Sequence, residues 1–272
     1  MKRVKKAVPV IIAVIIAFVL IFPVYVMIIS SFKPETEIFN LKLLPDFETS
    51  TLQNYVEVFK SENFGVYIWN SFVVATTVTI LALFFHSMSG YALARLRFRG
   101  KKPIFMIIMG TMMIPFAVIM IPLFLIIKSM GLVNNLWGII LPMVPSAYGI
   151  FLFRQFYIGL PEELEEASRI DGCGYFGTYW KIARPLARPI AVTMVVSFFI
   201  SNWNNYLWPL IVAQSRDLWM IQIGISSFKS EQEVSWNLVM AASVISSIPT
   251  MVLFFAFQRQ IADGIKASGI KG

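Results

Sequence analysis

The sequence predicts an all-α integral membrane protein with six transmembrane helices. Of its 272 residues, 57% are hydrophobic and only 14% are charged, and the mean hydropathy is +0.72. Charged residues are too few to cover the surface of a soluble protein of this size. The apolar residues also collect in runs long enough to cross a bilayer. The basic residues lie mainly in every second segment between these runs, which is typical of membrane topology signals.

The apolar runs predict the spans in order. The first run follows a basic amino terminus, is too long for a signal peptide and ends without a small-residue cleavage site, so we expect a retained signal anchor. The whole chain then forms one transmembrane domain, with spans at residues 8–32, 67–93, 104–127, 137–156, 190–212 and 238–257. Prolines within these spans predict kinked helices in a packed bundle, where neighbouring helices satisfy the freed backbone groups.

The charge distribution predicts the orientation. Sixteen of the 23 Lys and Arg residues lie at the amino terminus, after the second and fourth spans, and in the tail, and a seventeenth, Arg154, lies at the end of the fourth span. By the positive-inside rule, both termini and the segment 158–189 face the cytoplasm. The net charge of +8 is not gathered on one basic face with interleaved aromatics, so we expect no nucleic-acid partner.

None of the 15 Asp and Glu residues lies in a predicted span. An ion-driven carrier usually needs ionisable groups at that depth. The clear candidate is His86, which we expect to be a neutral imidazole hydrogen-bonded to a neighbouring helix. No phosphate-binding glycine loop and no protease or hydrolase motif is present, and the single Cys173 cannot form an intrachain disulfide. Energy must therefore come from a partner; an ion-coupled secondary carrier and a membrane enzyme are the alternatives.

The segment 158–189 is the one long acid-rich interruption in the second half of the chain. Pro161 suits the first position of a helix, and glutamates crowd the positive end that follows. Gly172 can end this helix in a left-handed conformation. About eleven residues at ~1.5 Å each span about half of a ~30 Å hydrocarbon core. We therefore predict two short helices, joined at a glycine turn, outside the bilayer.

Glu166, Ala167, Ser168, Asp171 and Gly172, with Pro185 further along, resemble the "EAA" loop of ABC importer permeases, except that Ser168 replaces the second Ala. In that family the loop forms a coupling helix, which docks in a cleft of a cytoplasmic ATPase and transmits its closure to the membrane helices. The resemblance implies a type I ABC importer permease fold. It also implies that the coupling residues are Glu165, Glu166, Ala167, Ser168, Asp171, Gly172 and Pro185. An amphipathic helix lying on lipid is the alternative, which the repulsion between glutamates and anionic headgroups disfavours.

The segment 201–210 resembles the "S-W-N-x-F-x-W-P-L" segment of carbohydrate importer permeases. Leu44–Pro45 and Asn70–Ser71 are similar to further motifs of the same subfamily. Within that subfamily, the sequence is most similar to the maltose-type permeases. Amides match sugar hydroxyls and aromatic faces match pyranose rings. The candidates for a substrate pathway are Asn202, Trp203, Asn204, Asn205, Tyr206 and Trp208. The alternative is that the aromatics sit at the membrane interface and the amides tie helices together.

The resemblance implies a subunit of a bacterial cytoplasmic membrane importer for a carbohydrate, expected to be an oligosaccharide. The implied partners are a second homologous permease, two cytoplasmic ATPase subunits, an extracytoplasmic solute-binding protein and membrane lipid. ATP and Mg would be bound by the ATPase subunits, so we expect no cofactor or metal on this chain. The outer loops would receive the binding protein, and the tail near Lys271 would reach the ATPase. Glycerol phosphate or another polyol derivative is the alternative cargo.

Overall fold

The structure is a computed structural model that describes residues 2–40, 49–60, 63–229 and 234–269. The motif residues Leu44 and Pro45 and the tail residue Lys271 lie outside the described residues. The all-α prediction is confirmed. The helices are α1 Lys2–Ser31, α2 Gln53–Lys60, α3 Phe64–Arg95, α4 Lys101–Thr111, α5 Phe116–Ser129, α6 Leu136–Met143, α7 Ala147–Ile158, α8 Glu163–Ile170, α9 Tyr175–Leu186, α10 Arg188–Trp203, α11 Leu207–Val212, α12 Ile221–Ser227 and α13 Trp236–Gly269.

Three helices in the described ranges are long and apolar enough to cross a membrane alone. They are Pro9–Ser31, Phe64–Arg95 and Trp236–Gln260. Three bent pairs pass the same test together: α4 with α5, α6 with α7, and α9 with α10, bent by 103°, 42° and 74°. If each bent pair is one span, the total is six, the number that the sequence predicts, but the third pair includes α9, which the sequence prediction places outside the bilayer.

The bends lie at residues that cannot continue a helix. Pro115 precedes α5 in an extended conformation, with φ −60° and ψ 137°. Pro145 stands in the break between α6 and α7, and Ser146 then caps α7 by accepting from the Gly149 N–H. Proline lacks the N–H that a continuing helix would donate to the carbonyl four residues earlier. Proline therefore accounts for these two bends.

The predicted fifth span, residues 190–212, is not one helix. Helix α10 ends at Trp203, and α11 begins only at Leu207. The side-chain amides of Asn202 and Asn204 donate to the carbonyls four residues earlier, at 2.8 Å and 3.0 Å. Such side-chain bonds compete with the continuing helix for its acceptors. The apolar run hides this break because the residues on both sides of it are hydrophobic.

Contacts divide the chain into two compact units, one of Met1–Gly65 and Ile223–Pro249, the other of Val66–Gln222 and Thr250–Gly272. In the first unit, Asn54 is 2% exposed and joins three elements. Its amide nitrogen donates to the carbonyls of Ser31 and Lys33, both at 2.8 Å. Its carbonyl oxygen accepts from Asn237 at 3.0 Å. One buried amide therefore ties the end of α1 and the start of α13 to α2.

The second unit has an aromatic core contributed by α3, α7, α9 and α10. Its buried members include Tyr91, Phe153, Tyr157, Tyr179 and Met194. Helices α3 and α7 approach closely at Gly90, where an added Cβ would lie 2.6 Å from the Cβ of Phe153. Small residues at a helix crossing permit such contact. This core supports the acid-rich loop from the membrane side.

Candidate functional site

The first helix of the acid-rich loop begins two residues later than the sequence predicts. Helix α8 starts at Glu163, with Glu162 as its N-cap and Pro161 before it. The Glu162 carbonyl accepts from the N–H groups of Glu165 and Glu166, at 2.9 Å and 3.1 Å. Proline cannot donate to any carbonyl, so its position outside the first turn costs no hydrogen bond. Three glutamates still occupy the first turn, where the helix dipole favours negative charge.

Helix α8 ends in the predicted glycine turn. Gly172 has φ +79°, in the left-handed region. The Gly172 N–H donates to the Arg169 carbonyl at 3.0 Å, and the Cys173 N–H donates to the Ser168 carbonyl at 2.9 Å. This pair of bonds is the Schellman motif, which satisfies carbonyls left open at a helix end. The turn places α8 and α9 next to each other.

The predicted coupling residues divide into two groups. Glu166, Ala167, Asp171 and Gly172 are exposed. Ser168 is 1% exposed, and its hydroxyl lies 2.5 Å from that of Thr178 on α9. The serine that departs from the family pattern therefore fastens α8 to α9 and faces away from solvent.

Glu165 also faces inward. Its side chain is 17% exposed, whereas that of Glu162 is 84% exposed. The Glu165 Oε1 lies 3.2 Å from Nε of Arg95, whose side chain is 9% exposed. The Glu165 Oε2 lies 3.9 Å from Arg169 on the same helix. Glu165 therefore contacts residues of this chain, while Glu166 is exposed.

Apolar side chains that the sequence prediction did not include flank the glycine turn. Ile170 is 86% exposed, Tyr175 64% and Phe176 63%. The Phe176 ring stacks on Trp180 with centroids 6.0 Å apart. An exposed apolar patch with a polar rim is typical of a surface that binds another protein. The interruption of a polar loop by Ile170, Tyr175 and Phe176 was the available sequence signal.

Pro185 lies in the last turn of α9, just before the 74° bend to α10. The five residues Tyr179–Ala183 of α9 form a π-helical segment. Such wide turns often occur at functional sites. The chain between α8 and α10 therefore contains two irregular features, the π-helical segment and the 74° bend.

The predicted pathway residues also divide by exposure. Trp203 and Trp208 are 1% and 0% exposed. Trp203 stacks on Phe199, and the Trp208 indole N–H donates to the Gly138 carbonyl at 3.2 Å. Large aromatic surfaces gain most from burial. We therefore assign these two indoles to packing.

The amides and the tyrosine lie at the break between α10 and α11. Asn204 and Tyr206 are exposed, and Asn202 and Asn205 are half-buried. Gln222, which the sequence prediction did not include, donates from its amide to Asn204 Oδ1 at 3.1 Å. The break thus presents uncharged polar groups beside one aromatic ring, which is a suitable lining for a sugar.

Asn70 and Ser71 position the segment 217–221, which leads to Gln222. The Asn70 amide donates to the carbonyls of Asp217 and Trp219, at 2.7 Å and 3.1 Å. The Ser71 hydroxyl accepts from the Ile221 N–H at 2.7 Å. These bonds pin residues 217–221 to the start of the second span.

The expectation for His86 is confirmed. Its side chain is 1% exposed, and its Nε2 accepts from the Ser146 N–H at 3.0 Å. A ring nitrogen that accepts carries no proton, so the imidazole is neutral. Gly149 makes room for the ring, since a Cβ there would lie 2.3 Å from Nδ1. His86 therefore joins α3 to the start of α7.

Known proteins resemble this chain along most of its length. The sequence profile of the family described as "Binding-protein-dependent transport system inner membrane component" matches residues 87–267. The chain is 36% identical to the arabinooligosaccharides transport system permease protein AraQ of Halalkalibacterium halodurans, over 94% of this chain and 93% of that protein. It is 32% identical to the sn-glycerol-3-phosphate transport system permease protein UgpE of Yersinia enterocolitica, over 90% of each.

A solved structure has the same fold. It belongs to a bacterial ABC transporter involved in the import of the acidic polysaccharide alginate. The TM-score is 0.84 at 24% identity, over 94% of this chain and 96% of that chain. The predicted permease fold is therefore confirmed.

Proposed function

This chain belongs to the family of binding-protein-dependent transport system inner membrane components, and on that premise we propose that it imports a carbohydrate as one permease subunit of an ATP-driven transporter. It is a membrane transport subunit and not an enzyme. The observation that carries the proposal is the exposed face of α8, with Glu166 and Asp171 beside Ile170, on a chain that is similar along its length to an arabinooligosaccharide permease.

In the proposed mechanism, a loaded solute-binding protein docks on the outer loops. ATP binding closes two ATPase subunits in the cytoplasm, and α8 transmits that closure to this chain and to a second, homologous permease. The bundle then opens outward and receives the sugar, and ATP hydrolysis resets it. This is a population shift between two helix arrangements, driven by a ligand of the partner. ATP and Mg are held by the ATPase subunits, and this chain holds no cofactor.

The proposed orientation places both termini and the segment 158–189 in the bacterial cytoplasm. It rests on the excess of Lys and Arg on that side. Glu166 and Asp171 on α8 then meet the ATPase, and the break at Asn204 and Tyr206 lies toward the outer end of α10.

The proposed cargo is an oligosaccharide. Asn202, Asn204, Asn205, Tyr206 and Gln222 are uncharged, so they offer hydrogen bonds and an aromatic face but no cation. Phosphate recognition favours Arg or Lys. Glycerol phosphate or another polyol derivative is the alternative that the relative from Yersinia enterocolitica supports.

The test is uptake by proteoliposomes that contain the chain with its binding protein, second permease and ATPase. We expect uptake of arabinooligosaccharides that requires internal ATP, and no uptake of sn-glycerol 3-phosphate. Uptake driven by a proton gradient without ATPase would instead support a secondary carrier. Chemical turnover of the sugar by the chain alone would support an enzyme.

The coupling role is tested by Glu166→Lys, with Glu163→Lys as the matched control on the same exposed helix. We expect Glu166→Lys to lower uptake by about tenfold or more while the assembled complex remains in the membrane, because a reversed charge at a docking surface opposes the partner. Normal uptake by the assembled variant would contradict the assignment of α8.

A further inference from the structure

Helix α8 is joined to the second span by one buried arginine. Arg95 is the last residue of α3, and its side chain is 9% exposed. Its guanidinium donates to the Leu160 carbonyl, lies 3.2 Å from the Glu165 carboxylate and lies 3.8 Å from that of Glu162. Three points of the acid-rich loop therefore meet at the end of one membrane helix.

Two more residues on the same face of α3 contact α7 and α9. Ser87, Tyr91 and Arg95 are spaced four residues apart, so they lie along one stripe of the helix. The Ser87 hydroxyl lies 2.6 Å from that of Tyr157 and accepts from that of Tyr179 at 3.1 Å. The Tyr91 ring packs on Tyr179 with centroids 5.3 Å apart. This stripe faces both α7 and α9.

Helix α3 is in turn fixed to α7 at the same level. Gly90 lets the backbone at Arg154 approach, and Arg154 Nε donates to the Leu93 carbonyl at 3.2 Å. Arg154 is also 4.0 Å above the Phe105 ring of α4. A displacement of α8 would therefore move the tightly packed helices α3, α4 and α7, because close-packed side chains transmit strain.

We propose that Arg95 is the positioning residue that transmits the movement of α8 to the second span, acting through Glu165. Leaving a buried charge without its partner is costly, so the pair stays joined as the helix moves. Glu166, on the exposed side, meets the ATPase, and Glu165, on the inner side, holds the membrane helix. This inference rests on the proposed function, because it assigns a route for the coupling that α8 provides.

The test compares sugar uptake with ATP hydrolysis in proteoliposomes of the complete transporter. Arabinooligosaccharide is the transported probe. The variants are Arg95→Gln and Glu165→Gln, with Glu163→Gln as the control, and each rate is divided by the amount of assembled complex. We expect ATP hydrolysis within about twofold of the unaltered protein, and uptake per ATP lowered at least about tenfold in the first two variants only.

A charge exchange separates transmission from simple structural support. Arg95→Glu and Glu165→Arg each place like charges together, and the double variant restores an opposite pair. The double variant lacks the donor to Leu160, so we expect partial recovery, with uptake per ATP about tenfold above either single variant. The exchange also serves as the test if Arg95→Gln fails to assemble.

Two results would overturn the inference while leaving the proposed function intact. One is normal uptake per ATP in the assembled Arg95→Gln and Glu165→Gln transporters. The other is a double variant whose defect is the sum of the two single defects. Failure of the proposed function looks different, because the unaltered transporter would then show no ATP-dependent sugar uptake.

Discussion

Replacement of Gly172 by alanine isolates the backbone geometry that ends α8. Gly172 has φ +79°, and a Cβ added there meets no atom within 4 Å. Steric conflict with neighbouring residues therefore contributes nothing, and the whole effect comes from an L-residue held in the left-handed region. Gly174 is the matched control, since its φ is −76° and its added Cβ also meets no atom within 4 Å.

The expected magnitude follows from this geometry. An L-residue in the left-handed region costs about 1–2 kcal/mol relative to the right-handed one. When the turn opens, alanine escapes this cost, so the free energy of opening falls by that amount. A change of about 1–2 kcal/mol corresponds to about a 5–30-fold rise in the open population. Gly172→Asn is expected to show a smaller rise, because asparagine tolerates this conformation better.

Hydrogen exchange at the turn measures this population. The amides of Gly172 and Cys173 are protected by the Arg169 and Ser168 carbonyls in the Schellman turn. Exchange of these amides follows local opening. In the assembled transporter in nanodiscs, we expect about 5–30-fold faster exchange at positions 172 and 173 in Gly172→Ala, after correction for intrinsic rates, and little change in Gly174→Ala.

Equal exchange at the turn in the two alanine variants would refute the reasoning. It would mean that the left-handed residue does not hold the end of α8. A fall in exchange on Gly172→Ala would be stronger evidence against it, because alanine would then fit the turn better than glycine.

Two further predictions concern packing and the pathway. Gly90→Val should destabilise the folded protein by about 1–3 kcal/mol, because the new side chain would overpack against Phe153. The measurement is the midpoint of unfolding in detergent, and the control is Gly110→Val, which should leave that midpoint unchanged because no atom lies within 4 Å of its added Cβ. Equal midpoints for the two variants would disprove the close crossing of α3 and α7. Tyr206→Ala should raise the KM for sugar uptake, because the ring is 40% exposed and can contact the sugar. Trp208→Phe should leave this KM unchanged, because the indole is buried. A change in KM on Trp208→Phe alone would mean that Trp208 lines the pathway and Tyr206 does not.

Local patterns were sufficient for several features of the site. The acid-rich start of α8 and the glycine turn at Gly172 both follow from residue type and near neighbours. Gly172 is an example: the left-handed residue after a helix is selected by conformational energy alone, which depends little on the rest of the fold.

Side-chain direction was not available from the same patterns. Glu165 and Glu166 are adjacent and identical, yet one contacts Arg95 and the other is exposed. Their difference depends on which side of α8 lies against α3, a contact between residues about 70 positions apart. The roles of Trp203 and Trp208 likewise depended on burial, and the break at Asn204 was hidden within an apolar run.

The sequence by itself determined the class of the protein. Hydropathy requires helices where a bilayer leaves no water to satisfy the backbone. The cytoplasmic coupling loop stays a prediction from the charges and from the spacing between Glu166 and Pro185. Only the tertiary structure decided how that loop is held. Arg95 is 65 residues from Leu160, and their contact exists because α3 and α7 cross at Gly90 and present the end of α3 to the loop. Contacts of that separation are set by the packing of whole helices, which no local pattern of residues records.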